Sequence, residues 1–364
     1  MSEYKNVDKN LIVETNIGES DVVFYDVRNA PFSVYGLYNY QEGSKFKRIP
    51  TEIAQATNSG VAHLYSHTAG ARVRFSTDSQ YVAIKADMPV IGRMSHFALT
   101  GSSGFDLYID DINTGNSSYW RSFIPDYSMT DGYTSQIKFA TRKKRYITIH
   151  FPTYSDVSRL LIGVQQDAMI SKGLSYRDMP PIVYYGSSIT QGGCASRPGN
   201  IYSNIITRTL NIDHINLGFS GNGKGEDAIV DYMASLTMSA FVSDYDHNAP
   251  SVAHLANTHL NMYQKIRAFH PDIPYIMISR PDMDSCNQNE LADRRKVILD
   301  TYHYACAQGD SNVWFIDGSS IFRGPYEELC TVDGVHPNDM GFAMMADAIG
   351  SVLKRAFSKY WDNL

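Results

Sequence analysis

Along the first half of the chain, apolar and polar positions alternate with a period of two. "ARVRF" sets Val73 and Phe75 against Arg72 and Arg74. "YVAIKAD" follows across the turn-like "STDSQ", and "RYITIHF" puts Ile147, Ile149 and Phe151 on one face. From about Asp21 to Gln166 such runs are separated by turn signals, as in Asn113-Thr114-Gly115-Asn116, with no helical stripe between them. Short strands at regular spacing predict an all-β sandwich or jelly roll over residues 1–172.

After "SKGLSYRDMPP" the period changes. Five short apolar runs, "PIVYYG", "HINLG", "SAFVSDY", "PYIMISR" and "NVWFIDG", alternate with helical stretches. In the last of these, Phe342, Met345, Ala346, Ile349, Val352 and Leu353 form one stripe. Asn338 is the expected cap, and Lys354 and Arg355 are expected near the C-terminal end of the helix dipole. Five strands alternating with helices predict an α/β domain over residues 173–364, a doubly wound, flavodoxin-like parallel sheet, with the boundary between residues 172 and 180.

A chain of 364 residues is long for one core, in keeping with two domains. The net charge of −6 offers no basic surface for phosphates, so nucleic acid is not an expected partner. The 25 tyrosines, many in the first half, suit sheet surfaces or sugar contact, and Trp120 shares both readings. "MSEYKNVDKNLIVETNIGES" has no apolar leader core and no run approaches the length of a membrane span; a cytoplasmic location without membrane contact is expected. Cys194, Cys286, Cys306 and Cys330 are too dispersed for a disulfide framework or a zinc site, and the histidines lack metal-binding spacings. No metal and no cofactor are expected. A homo-oligomer is compatible with this composition.

In doubly wound sheets ligands bind outside the carboxyl ends of the strands, so the residues there are the candidates. "GSSITQGG" follows the first run, "FSGNGKGE" the second and "DHNAP" the third; "TVDGVHPN" comes after the fifth. A serine, a glycine, an asparagine and a histidine are parts used for acyl transfer, which needs a nucleophile, a base, an orienting acid and oxyanion donors. Asp333 and His336 are three apart, a spacing that lets the carboxylate fold back onto one imidazole nitrogen. Gly221 offers an N–H with no side chain in the way, and Asn248 offers an amide. On these grounds Ser187 and Ser188 are both candidate nucleophiles.

The order Ser, Gly, Asn, His, with Asp three before His, resembles the SGNH (GDSL-like) hydrolase superfamily. "GSSITQG" stands where that family has Gly-Asp-Ser-Leu-Thr-x-Gly. The resemblance therefore gives the nucleophile role to Ser188, whose own N–H it makes an oxyanion donor, and puts Ser187 where the family has an aspartate outside its triad. By the same resemblance "NLGFSGN" carries an oxyanion N–H to Gly221, "DYDHNAP" carries the oxyanion amide to Asn248 without the block's usual glycine, and "DGVHPN" supplies Asp333 and His336. Upstream, "GSSGFDLYID" is similar to the Gly-x-Asp-Leu-Tyr signature of a β domain that precedes some SGNH esterases, carbohydrate acetylesterases among them. The resemblance implies a serine esterase with no cofactor that removes acetyl or other short acyl groups from a small-molecule or oligosaccharide ester. In the cytoplasm, acetylated xylo- or manno-oligosaccharides would be its substrates.

Two readings compete. Gly218 to Lys224 satisfies G-x-x-x-x-G-K between a strand and a helix, the form of a nucleotide-binding loop, although Gly225 stands where a Ser or Thr must hold Mg²⁺. The tyrosine-rich half also allows a carbohydrate-binding protein with an inactive hydrolase domain. Ser220 fails G-x-S-x-G because Asn222 follows Gly221. Arg197, in "CASRPGN", either reaches a sugar or holds its loop through a carboxylate, and His247 either meets substrate or is a solvated or capping histidine. Cys194 and Cys330 flank catalytic elements in sequence and are either neighbours in space or two separate reduced thiols.

Overall fold

The computed structural model describes residue 13, residues 16–281 and residues 288–361. Cys286 and most of the segment read for a leader lie outside the described residues. Ten strands come first: β1 (Val22–Asp26), β2 (Ser33–Tyr35), β3 (Arg72–Thr77), β4 (Tyr81–Asp87), β5 (Phe105–Asp110), β6 (Ser117–Phe123), β7 (Gly132–Lys138), β8 (Arg145–His150), β9 (Arg159–Gln165) and β10 (Ile170–Lys172). They pair antiparallel in two sheets, β1-β9-β4-β7 and β10-β3-β8-β5-β6, with β2 also on β3. The period of two points Val73, Phe75, Ile147 and Ile149 of one sheet at Val82, Ile84, Ile162 and Val164 of the other, and these form one core.

One expectation for this half, that no helix interrupts the strands, is corrected, and the polar positions of β3 are buried too: Arg72 and Arg74 both lie out of solvent. Arg74 pairs with Asp110 at 2.9 Å and lies over the Tyr176 ring. Helices also interrupt the strands, namely α1 (Thr51–Thr57), α2 (Ser59–Leu64) and α3 (Leu99–Ser102). None is long enough to show a helical stripe. Asn58 separates the first two and caps α2, its Oδ1 accepting the Val61 N–H at 2.8 Å. Ala54, Val61 and Leu64 pack with Ile229, Val230 and Met233 of the second half rather than into the sandwich.

The second half has the expected strands, β11 (Ile182–Gly186), β12 (His214–Gly218), β13 (Ala240–Asp244), β14 (Tyr275–Ile278) and β15 (Val313–Ile316). All are parallel, in the order β12-β11-β13-β14-β15. Between and after them run α4 (Ser188–Gln191), α5 (Tyr202–Leu210), α6 (Asp227–Ser235), α7 (Val252–Phe269), α8 (Gln288–Ala307) and α9 (Asp339–Trp361). Separate apolar clusters on the two faces of the sheet make the fold doubly wound. The expected stripe of α9 packs into one of them, and Asn338 Oδ1 caps its start by accepting the N–H groups of Met340 and Gly341. Helix α9 runs on to Trp361, so Lys354 and Arg355 lie within it instead of at its end. No helix among the described residues is long and apolar enough to cross a membrane.

The two halves meet along β12, an edge strand. Arg48 Nη1 donates to the carbonyls of Asn216 and Gly218, at 3.0 and 2.6 Å, and Arg72 Nη1 donates to that of His214 at 3.2 Å. A second seam is made by the Gly-Phe-Asp-Leu-Tyr signature. The buried Asp106 carboxylate accepts the Gly199 N–H at 2.9 Å and lies 3.5 Å from Arg197 Nε, while Arg208 sits over the Tyr108 ring.

Burial pushes the Asp106 carboxyl up to about 7, against the Gly199 N–H and the charges of Arg208 and Arg197, which lower it. A carboxyl raised on folding binds more protons in the native state. Its contribution is therefore fully present below its unfolded value and is lost as pH climbs through about 7. The unfolding free energy should fall from about pH 4 to about pH 7, and Asp106→Asn should flatten that fall in denaturant titrations. An unchanged pH slope in the variant would remove Asp106 as its source.

Candidate active site

The geometry separates the two serines. Ser187 spends its hydroxyl locally, its Oγ accepting the Ile189 N–H at 3.1 Å. Ser188 opens α4 just beyond the end of β11, and its Oγ lies 3.0 Å from His336 Nε2. On the other side of the ring, His336 Nδ1 lies 2.7 Å from Asp333 Oδ2. Asp333 Oδ1 accepts the backbone N–H groups of His336 and Val335, at 2.7 and 3.1 Å. Gly334 makes this fold-back possible, since its φ of +86° is one that side chains other than glycine rarely allow. Val332 N–H to His336 O, at 2.9 Å, closes the loop. Desolvation raises the Asp333 pKa, but the N–H and ring of His336 and the N–H of Val335 outweigh it and bring the carboxyl down to about 2. An ionised Asp333 accepts the Nδ1 proton, which leaves Nε2 free to accept one from Ser188.

The loop after β12 comes to the same place. Gly221 has φ +67° with open space where a side chain would project, and none of its described neighbours accepts its N–H. Asn248, four residues beyond β13, donates one amide hydrogen to Phe219 O at 2.8 Å. The other remains available beside that loop. Gln191, a residue missed in the sequence reading, holds the loop in place. Its Oε1 accepts the Ser220 N–H at 2.9 Å, while its Nε2 donates to Thr153 O at 3.1 Å and lies 3.2 Å from His67 Nδ1. It is fully buried, so one amide ties the Gly221 loop and helix α4 to the sandwich. Tyr154, also from the sandwich, donates to Ser188 O at 3.1 Å. The only sequence signal for Gln191 was an amide among glycines two positions after an apolar residue, which names no partner.

Comparison with known proteins bears on the family and the fold. The GDSL-like lipase/acylhydrolase family profile matches residues 179–354, and that of the Gly-x-Asp-Leu-Tyr N-terminus of SGNH-hydrolase-type esterases matches residues 22–170. The chain belongs to the GDSL-like SGNH hydrolases. It is similar to a Bacteroides ovatus protein described as GDSL-like lipase, at 27% identity and TM-score 0.80 over 92% of this chain and 98% of that one. It shares its fold with the salicylyl-acyltransferase SsfX3 of a tetracycline biosynthetic pathway, at 17% identity and TM-score 0.72 over 94% and 98% of the two chains. A family two carbohydrate esterase from Clostridium thermocellum, solved with cellohexaose, also shares it, at 13% identity and TM-score 0.61 over 89% and 98%. No curated sequence matches.

Other candidates fall into place around this SGNH site. Arg197 meets the second of its two readings, facing the Asp106 carboxylate with its guanidinium 3.8 Å from the centre of the Tyr119 ring. His247 is half-buried with no protein partner for its Nε2, and burial, with Arg280, His336 and Arg294 nearby, holds its imidazole well below the ordinary histidine range. It is a neutral ring with a nitrogen to spare. Ser220 is engaged through its backbone by Gln191. Where the nucleotide-loop reading needs phosphate, the structure places a carboxylate: Glu226, at the start of α6, accepts the Lys224 N–H at 3.1 Å and the Asn58 amide at 2.6 Å. Cys194 and Cys330 are separate free thiols. Cys330 Sγ lies 3.4 Å from Met344 Sδ, while Cys194 packs with Phe97 and Tyr154. Burial, with Asp333 adding to it, pushes the Cys194 thiol up to about 12.

Replacing Gln191 by Leu frees the Ser220–Gly221 loop without touching Ser188 or His336. Turnover should fall by roughly ten- to a hundredfold with KM little changed, the expected result of a displaced oxyanion donor. Steady-state kinetics on a short aryl ester read this directly, and a loss confined to KM would contradict the role.

Proposed function

We propose that this SGNH hydrolase is a serine esterase that removes acetyl or other short acyl groups from carbohydrate esters, with acetylated xylo- or manno-oligosaccharides as substrates. The chain of contacts from Ser188 Oγ through His336 to Asp333 carries the reading. Ser188 Oγ attacks the ester carbonyl while His336 Nε2 takes its proton. Asp333 holds the ring in the tautomer that leaves Nε2 open and stabilises the imidazolium that forms. The N–H groups of Ser188 and Gly221 and the amide of Asn248 meet the charge that develops on the carbonyl oxygen. His336 returns its proton to the departing sugar oxygen. A water molecule then attacks the acyl-enzyme, again with His336 as base, and frees the acid.

The carbohydrate class is supported by the Gly-x-Asp-Leu-Tyr domain and by the fold shared with the clostridial carbohydrate esterase. His247, with its unpartnered Nε2, is the candidate contact for a sugar hydroxyl. Acetate release from acetylated oligosaccharides, measured on wild type and Ser188→Ala, tests the proposal. Wild type should release acetate and label with a fluorophosphonate, and Ser188→Ala should do neither; equal release by both would end it. Asp333→Asn should lower kcat by about 10⁴ and Asn248→Ala by about 10²–10³.

A further inference from the structure

Three segments far apart in sequence bring two imidazoles and a thiol together beside Ser188. One ligand atom each of His96, Cys194 and His336 lies within 4.8 Å of the other two. His96 comes from the sandwich, on the exposed loop between β4 and α3, and its ring centre is 6.0 Å from that of His336. Cys194 is buried three residues beyond α4, with a φ of +71° that a side-chain-bearing residue rarely adopts. The preceding Gly193 stands against the same ring, since a Cβ there would lie 3.4 Å from His336 Cδ2, the atom bonded to Nε2.

We propose that His96, Cys194 and His336 form an inhibitory site for a thiophilic divalent cation, Zn²⁺ above all. Two imidazole nitrogens and one sulfur are a zinc ligand set, with water or Ser188 Oγ as the fourth member of a tetrahedron. Bonds of about 2.0–2.3 Å require the ligand atoms to draw somewhat closer than they stand, and the exposed His96 has the freedom to do so. The Asp333–His336 pair already has the form of the carboxylate–histidine pairs that orient zinc ligands. On binding, a Zn–S bond replaces the S–H bond of Cys194 and its proton goes to solvent. The Nε2 lone pair of His336 goes to the metal instead of to the Ser188 proton, and no electron is transferred. Ser188 thereby loses its base, and removing the metal restores it. The inhibition rests on His336 being that base; the binding of the cation does not.

The experiment has two arms. Esterase rates are measured under a Zn²⁺ titration, then with excess EDTA, for wild type, Cys194→Ser and His96→Ala. Wild type should be inhibited and restored by EDTA, and each variant should need at least about tenfold more Zn²⁺ for the same inhibition. In the second arm Co²⁺ is added to Ser188→Ala, which keeps all three ligands, and to Cys194→Ser. A thiolate-to-metal absorption band should appear in the first and be absent from the second. Unchanged Zn²⁺ sensitivity in both variants, or no such band in Ser188→Ala, would overturn the site. A Cys194-dependent band in a protein with no esterase activity would uphold the cation site and sink the esterase reading instead.

Discussion

A parallel sheet leaves a row of backbone groups open along each edge, and the edge strand β12 carries the loop that the proposed chemistry needs. Most of its outward groups are met. The carbonyls of His214, Asn216 and Gly218 take the guanidiniums of Arg72 and Arg48, and the N–H groups of His214 and Gly218 turn to the side chains of Asp213 and Asn216. Burial lowers the Arg48 pKa to about 9, a measure of what it costs to keep a cation there. Neutral donors would serve one edge strand more cheaply. What an arginine adds is reach: one planar group spans two successive carbonyls of the strand and a third at Leu64. Arg72 of β3 and Arg48, a residue before α1, thus settle where the hydrolase sheet stops.

The loop beyond β12 inherits that placement. Phe219 N–H donates to Gly186 O at 3.0 Å, Ser220 is held by Gln191, and Asn222 O accepts from Asn58 at 3.0 Å. Residues 219–222 are therefore tied at three successive points, two of which lead back to the first half of the chain. The sandwich is part of the site's frame, although among the proposed catalytic residues it supplies none. The same logic explains the Gly-x-Asp-Leu-Tyr signature: Asp106 and Tyr108 grip residues 197–208, the segment that leads away from Ser188 and α4.

What was legible in the sequence follows from this division. The five parallel strands and the stripe of α9 were readable because each is a local pattern with its own period. The residues proposed for catalysis were readable because strand ends in such sheets gather at one edge. Helices α1 and α2 were not, being only seven and six residues long. Arg72 and Arg74 read as an ordinary polar face because nothing in "ARVRF" says that another domain covers it. Gln191 and His96 were missed for a related reason: their partners lie 29 or more positions away, at Ser220, Thr153, His67 and His336, and no short motif encodes such a meeting.

The two halves of the proposed machinery are consequently held by different means. The Asp333–His336 pair is built within four residues, by one turn and three hydrogen bonds, and needs little from the rest of the fold. Ser188, the proposed nucleophile, and the Gly221 loop are held by buried long-range contacts through Gln191, Tyr154 and Arg48. Loosening the sandwich should therefore disorder the oxyanion donors before it disturbs the base. A self-contained base on a partly exposed loop is also what a cation needs. Its imidazole keeps its tautomer and orientation whether the atom before it is a serine oxygen or a metal, so the local order that prepares His336 to accept a proton prepares it equally to accept Zn²⁺.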